Sequence, residues 1–471
     1  MGTLLRITFV VLAIVVGLCV HKYQELTSSA PIPQLNDAEY WGPGSAAKYK
    51  ENTAVKAFDI SAKPELIEDL KTQLSRPLVL TEPLEGVGFQ YGFNSKYLKK
   101  VVAYWRDTYL PKWGEREAFL KQFPHFETQI QGLRVHFIHV KPKSTEGKKV
   151  VPLLLIHGWP GSVREFYRLI PLLTKPHPKS EYVFEVIAPS LPGYGWSQGA
   201  SKVNFGPAQM SLVLRNLMLR LGHEKFLIQG GDWGSILGAN IVTLSPHNVL
   251  GYHSNMCTTN HPIIHLHKLL RNWFPSFFIK EENRVFFKPF GKELSYLLEE
   301  SGYMHIQASK PDTIGSTLTQ NPVGLAAYIL EKFSTWTNPA YKQLEDGGLT
   351  KRFTLDELLD NIMIYYTTNS ITTSQRLYSE GLSFAHFALN LDATHVNVPT
   401  ACARFLHDLL HLTDSELGLK FKNIVHSTYH KEGGHFAAME VPETLYSDFV
   451  EFVAKVFTKP QPKHSHSTID T

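Results

Sequence analysis

Two short stretches of the chain follow the pattern small–x–nucleophile–x–small. One is Gly195-Trp196-Ser197-Gln198-Gly199, and the other is Gly230-Gly231-Asp232-Trp233-Gly234. The pattern carries chemistry only where a strand enters and a helix leaves, because that strained turn lifts the central side chain above a sheet. Ser197 fails this test. It follows the loop Pro192-Gly193-Tyr194-Gly195 and runs on into Ala200-Ser201-Lys202. Asp232 passes on both sides. The apolar run Lys225-Phe226-Leu227-Ile228-Gln229 reads as a strand before it, and Ile236–Leu244 reads as a helix after it, stopped by Ser245-Pro246. A helix start there adds N–H groups and a positive dipole end. The bland alternative is an N-cap aspartate, against which the bracketing glycines argue.

A carboxylate nucleophile attacks a saturated or epoxide carbon and becomes an ester with the enzyme. Water must then cleave that ester, which calls for a histidine base and an acid to orient it. With an early nucleophile, the acid and the histidine follow in that order. Of 22 histidines, His435 stands out: it is late, it sits in Glu432-Gly433-Gly434-His435-Phe436 after the strand-like Ile424–Tyr429, and a helix over Thr444–Val456 follows. Asp408, Asp414 and Glu416 all lie where the acid should be, and position does not choose among them. An oxyanion hole would use the backbone N–H of Trp233 and of Trp159, the latter in His157-Gly158-Trp159-Pro160, whose X-Pro bond suits a cis peptide. Epoxide opening also needs a proton donor, and tyrosine hydroxyls fit because phenols stay protonated near neutral pH.

These groups need a sheet to hold them. Val150–Ile156 and Glu185–Pro189 are short apolar runs of the kind buried on both faces of a parallel sheet, and Met210–Leu221 is helical by periodicity. Strands alternating with helices predict an α/β fold with a mostly parallel sheet. Residues 257–395 lose the alternation and read as a helical lid rich in Tyr, Phe and Trp, and the sheet pattern resumes near Val398. Upstream, Pro64 opens a helix with Leu66, Ile67, Leu70 and Leu74 on one face. Asn94 or Ser95 caps a second helix, and Val135–Val140 reads as a strand. The expected organisation is an anchor at 1–22, a linker and N-terminal extension at 23–149, core at 150–256, lid at 257–395, core again at 396–458 and a disordered tail at 459–471. No internal repeat is seen.

Ile7–Val20 is uncharged and strongly apolar, and Thr3, Leu4 and Leu5 extend it past Arg6. That approaches the roughly 20 residues of a spanning helix. A cleaved signal peptide is the rival, but no small-x-small cleavage pattern adjoins His21-Lys22. Positive charge flanks both ends, so orientation is not read from it. Thr27–Tyr40 reads as a linker away from the membrane, with Trp41 near the interface. Three cysteines, Cys19, Cys257 and Cys402, argue against a disulfide framework. With no Asn-x-Ser/Thr sequon, this fits a catalytic domain facing the cytosol. The net charge of +4 comes with mixed signs and no basic stripe, which excludes a nucleic-acid partner. No Cys-x-x-Cys or other metal spacing is present, so no metal or organic cofactor is expected.

The residues now assembled resemble the microsomal epoxide hydrolase family over nearly the whole chain. The resemblance rests on Trp41-Gly42-Pro43-Gly44, Tyr91-Gly92-Phe93-Asn94-Ser95, Pro124-His125-Phe126, His157–Ser162, Gly230–Ser235, Gly302–Gln307, Ile329–Asn338 and Gly433–Phe436. Ser162–Tyr167, Ile187–Gly195 and His253–Met256 look most like the insect juvenile hormone branch. The resemblance implies an α/β-hydrolase fold, an endoplasmic reticulum membrane location and conversion of apolar epoxides to diols with water. It implies Asp232 as nucleophile, His435 as base, Asp408 as the acid, and Tyr303 and Tyr378 as proton donors to the epoxide oxygen. Juvenile hormone is the implied substrate, with xenobiotic epoxides as the alternative. One departure stands out: the family usually has Glu where this chain has Asp408. A serine esterase using Ser197 or Ser235, a haloalkane dehalogenase and a non-catalytic hormone-binding protein are the rival readings.

Overall fold

The computed structural model describes residues 2–178 and 180–458, so the expected disordered tail lies outside the described residues. Nine strands form one sheet: β1 (Lys56–Ala57), β2 (His125–Ile130), β3 (Leu133–Val140), β4 (Lys149–Ile156), β5 (Tyr182–Pro189), β6 (Phe226–Gly230), β7 (Val249–Ser254), β8 (Thr400–Phe405) and β9 (Ile424–His430). Their order is β1-β2-β3-β5-β4-β6-β7-β8-β9. The first three contacts, through β3–β5, are antiparallel and all the rest are parallel. This is the mostly parallel sheet that the alternating runs predict.

Both faces of the sheet are covered, and the strand period of two shows how. Leu154 and Ile156 join one core with Ile187 and Ile228, while Leu153 and Leu155 join the other with Val186 and Leu227. Successive side chains point to opposite faces, so an unbroken apolar run is what such a strand requires. Helices Pro207–Arg220 and Trp233–Leu244 cover one face, and Leu169–Thr174 with Pro442–Thr458 cover the other. Strands β1, β2 and β7 have no such run. In β2 (HFETQI) and β7 (VLGYHS), buried polar groups take the apolar places: His125 bonds to Leu120 O and His136 at 2.9 Å each, and His253 to Asp448 at 2.9 Å.

Between β7 and β8 the chain is helical, from Ile264–Trp273 to Phe384–Phe387. Helix Leu355–Thr368 is locked to the rest by Asp360. That carboxylate accepts from Arg164 Nε at 2.9 Å, from Tyr109 Oη at 3.0 Å and from Arg116, which lie in the core and in the N-terminal extension. Asn94 is the cap of the second upstream helix, accepting from Lys96 N–H at 3.0 Å.

Two expectations, for Trp41 and for the cysteines, are corrected, and the linker is found to lie on the body. Ala30 N–H donates to Ala393 O at 2.9 Å, and Asp37 accepts from Arg215 at 2.8 Å. Trp41 is buried against Phe205 with its N–H on Gln131 O, so it packs in the protein rather than at a bilayer interface. Cys257 and Cys402 form a disulfide across 145 residues. Register explains it: Ser254 of β7 pairs with Cys402 of β8, and Cys257 lies three residues further on. A cysteine count cannot reveal such proximity, and the bridge removes that count as an argument for a reducing compartment.

Among the described residues, one helix is long and apolar enough to cross a membrane: Leu4–Leu26, none of it buried against the body. The helix as a whole runs Gly2–Leu26, four residues past the expected end of the anchor.

Candidate active site

Asp232 stands between β6 and helix Trp233–Leu244 with φ +52° and ψ −130°. That is a costly conformation for a residue with a side chain, and such strain persists only where the surroundings over-determine it. The glycines show how. A Cβ on Gly234 would strike Ile156 O, and one on Gly158 would strike the Asp232 carboxyl itself. Small residues therefore let three backbone segments close around the turn. The helix starts at Trp233, three residues earlier than its periodicity indicates.

The turn after β4 brings the first partner. Trp159 N–H donates to Asp232 Oδ1 at 2.8 Å, and Trp159-Pro160 is cis, as the sequence allows. The lid holds this turn in place. Asn361 donates to Pro160 O and Tyr365 to Gly161 O, both at 2.8 Å. The Trp233 N–H heads the helix on the other side of Asp232.

His435 Nε2 lies 3.2 Å from Asp232 Oδ2, and its Nδ1 lies 2.7 Å from Asp408 Oδ1. Of the three candidate acids, Asp408 is the one that contacts His435. Asp414 is engaged by Arg404 at 2.7 Å, and Glu416 by Arg271 at 2.7 Å. Burial disfavours a charged imidazole, but Asp408 and Asp232 together outweigh it and push His435 up to about 10. The His435 loop is pinned by Glu440, which accepts from the N–H groups of Gly434 and Phe436 at 2.9 Å each. The His435 N–H donates to Trp336 O at 2.9 Å.

Tyr303 and Tyr378 come together from two lid helices, with ring centroids 5.8 Å apart. Tyr303 stacks on Trp159 at 5.3 Å, and Tyr378 meets Trp233 edge-on at 4.9 Å. Burial, reinforced by the Asp232 carboxylate, holds both phenols well above their ordinary value of 10. They remain protonated donors across the physiological range. Lys332 Nζ sits 4.7 Å from the Tyr303 ring.

Sequence reasoning missed several groups here. Glu165 lines the small cavity shared by Asp232, His435, Gln229 and Asn255. Its carboxyl is pushed up to about 8, chiefly by burial. Its position five residues after Pro160 was readable, but its inward direction depends on Gly161, where a Cβ would collide with the carboxyl. Glu440, also pushed up to about 8 mainly by burial, ends the short helix Ala437–Glu440 and gave no spacing signal.

Ser197 is not available as a nucleophile. It is buried, donates to Ser190 O at 2.7 Å and accepts from His136 N–H at 2.9 Å. Ser235 likewise donates to Gly230 O at 3.0 Å, behind the turn. Away from the site, His139, Glu185 and His223 have metal-ligand character, but His139 and Lys141 already engage the Glu185 carboxylate, at 2.7 and 3.6 Å.

With this geometry in hand, the comparisons are specific. Residues 55–166 match the family model described as the epoxide hydrolase N terminus, and residues 151–388 match the alpha/beta hydrolase fold. Juvenile hormone epoxide hydrolase 2 of Ctenocephalides felis is 46% identical over 454 residues, 96% of each chain. Epoxide hydrolase 1 of Sus scrofa is 46% identical over 419 residues, covering 88% of this chain and 92% of that one. The crystal structure of juvenile hormone epoxide hydrolase from the silkworm Bombyx mori superposes with a TM-score of 0.87 at 45% identity, over 90% of this chain and 99% of that one. The extension and the core are thus shared with these relatives, and the chain belongs to the epoxide hydrolase family.

Proposed function

We propose that this chain converts juvenile hormone epoxide to its diol by a two-step covalent mechanism at Asp232. The observation that carries the mechanism is the placement of one carboxylate between the Trp159 N–H and His435, with Tyr303 stacked on Trp159 and Tyr378 edge-on to Trp233. In the first step the Asp232 carboxylate attacks an epoxide carbon. The carbon–oxygen bond breaks, and the departing oxygen takes a proton from Tyr303 or Tyr378. An ester joins substrate and enzyme.

The second step uses the charge change that the first creates. In the free enzyme two carboxylates hold the proton on His435. Esterification removes the Asp232 charge, leaving burial and Asp408 alone to compete. The imidazole then releases its proton, which restores the phenol that gave one up, and accepts a proton from water. The resulting hydroxide attacks the ester carbonyl, and the N–H groups of Trp159 and Trp233 face the oxyanion. Collapse frees the diol, whose oxygen takes that proton from His435, and the Asp232 carboxyl returns its own proton to the imidazole. No metal or organic cofactor enters.

The hormone preference is supported by the 46% identity to the flea juvenile hormone enzyme over 96% of the chain. The equal identity to pig epoxide hydrolase 1 keeps a broad-specificity reading for xenobiotic epoxides alongside it. We place the protein in the endoplasmic reticulum membrane, held by Leu4–Leu26.

The test is turnover of juvenile hormone and of styrene oxide by wild type, with mass spectrometry of the stalled His435→Gln variant. The expected result is hormone preference and an ester adduct on the Asp232 peptide. Turnover of both without preference would keep the mechanism and assign the role to detoxification. Absence of any adduct in a variant that still consumes epoxide would end the covalent reading.

A further inference from the structure

The lid carries large apolar side chains that a water-facing surface has no reason to display. Trp273 is 63% exposed and Phe277 86%, with Phe274 between them, at the end of helix Ile264–Trp273 and in the short helix Pro275–Phe278. Further along the chain, Phe384 is 87% exposed, and Phe387 of the same short helix is also exposed. Scattered exposed apolar residues are ordinary, but clusters of aromatic rings mark a surface that something covers.

What covers it is indicated by where these clusters are tied. The N-terminal apolar helix meets the body at two places. Tyr23 stacks on His267 and bonds to it at 3.1 Å. His267 is in the same helix as Trp273, six residues or about 9 Å along its axis. Just past the helix end, Thr27 O is 3.0 Å from His395 Nε2, the His395 N–H donates to Ser29 at 3.0 Å, and Ala30 donates to Ala393. That segment follows directly on Phe384–Phe387. Both aromatic clusters therefore sit on stretches of chain that are tied to the end of the apolar helix.

We infer that the lid face bearing Trp273, Phe274, Phe277, Phe384 and Phe387 dips into the lipid surface that the N-terminal helix enters, so the catalytic body rests on the membrane rather than hanging from a tether. This rests on the reading of Leu4–Leu26 as an anchor. The docked linker agrees with it: Asp37 held by Arg215 and Trp41 buried leave little slack between helix and body. Aromatic rings are the side chains that settle at a membrane–water boundary. An apolar epoxide dissolved in the lipid would then meet the lid directly.

The test uses the full chain in phospholipid nanodiscs, one set with brominated acyl chains and one without. Bromine quenches only tryptophans that reach the lipid, and Trp273→Phe isolates the share due to that residue. The anchor helix has no tryptophan to confuse the signal. Trp273 emission is expected to lose most of its intensity in the brominated discs, and this loss should be absent from Trp273→Phe. Full-length protein recovered with the discs but with Trp273 unquenched would overturn the inference while keeping the anchor. A second copy or another protein covering the face would give that result. Protein that does not travel with the discs at all would overturn the anchor reading and this inference with it.

Discussion

The molecule contains two buried clusters of histidine and aspartate, and they behave differently. One is Asp408–His435–Asp232. The other surrounds Asp448, on the helix behind the sheet. There His253 lies at 2.9 Å, Thr428 donates at 2.6 Å, His430 lies at 2.8 Å and His426 at 3.3 Å. The Asp448 carboxylate is saturated: burial works against its charge, but the surrounding donors overcome it and hold the carboxyl far below the ordinary 3.8. The catalytic group is left incomplete. Asp408 Oδ2 has no partner among the described residues, and Asp232 and His435 open on a cavity. The same residue types make a structural staple when both carboxylate oxygens are occupied, and an open site when one oxygen is left without a partner.

The largest effect that would sharpen this contrast is at the nucleophile. Asp232→Asn should lower kcat/KM by about 10⁴-fold, the scale seen when the central member of a catalytic group is removed. Its melting temperature should stay near wild type or rise, since a strained, charge-crowded position is relieved. A freshly purified variant with wild-type turnover would place the nucleophile elsewhere.

Asp448→Asn should do the reverse. Removing the charge that holds a buried cluster costs about 3–5 kcal/mol. The sign with pH follows from the depressed pKa. The stability due to the Asp448 charge is fully present above the ordinary aspartate range, and it drains away as pH falls below 3.8 toward the folded value. Melting curves should therefore separate wild type from Asp448→Asn widely at pH 7, and the gap should narrow on acidification below about pH 4. Activity per folded molecule should be unchanged. A large loss of kcat with normal melting would dissolve the distinction between the two clusters.

Smaller than either, Tyr303→Phe and Tyr378→Phe should each cost on the order of 10²-fold in the alkylation rate, as loss of a general acid does. Because two phenols face the same space, the double variant should lose more than either single one. Rapid-quench measurement of ester formation checks this. An effect confined to ester hydrolysis would remove the tyrosines from the first step.

Much of this was legible in the residues because the relevant signals are local. The Asp232 turn announces itself by glycines on either side between an apolar strand and a helix, and β4, β5 and β6 by runs that both sheet faces demand. The His435 loop is local too. The remainder depended on contacts far apart in sequence. Asp408, Asp414 and Glu416 are alike in type and position, and only the arginines that occupy two of them separate the third. Strand β7 hid because its buried His253 is satisfied by Asp448, 195 residues away. Trp41 and the Cys257–Cys402 pair misled for the same reason, since their partners come from other elements. Tyr303 and Tyr378 were picked out by family resemblance, because twenty tyrosines carry no spacing rule.

The finest contrast lies within the proposed catalytic cluster, at Asp408, where the family resemblance leads one to expect glutamate. Asp408 Oδ1 lies 2.7 Å from His435 Nδ1 despite the shorter side chain. The same oxygen also accepts from Leu409 N–H at 2.7 Å, which fixes the carboxylate to its own turn. A glutamate in this setting would overshoot or tilt, and would give up the Leu409 bond. Asp408→Glu should therefore slow ester hydrolysis by less than about tenfold, since the imidazole keeps an acid partner in poorer alignment. Ester formation should be untouched, because Asp408 acts through His435 and not on the epoxide. Single-turnover kinetics separates the two steps. An unchanged hydrolysis rate would mean that the loop accommodates either acid, and that the Asp408 position tunes nothing.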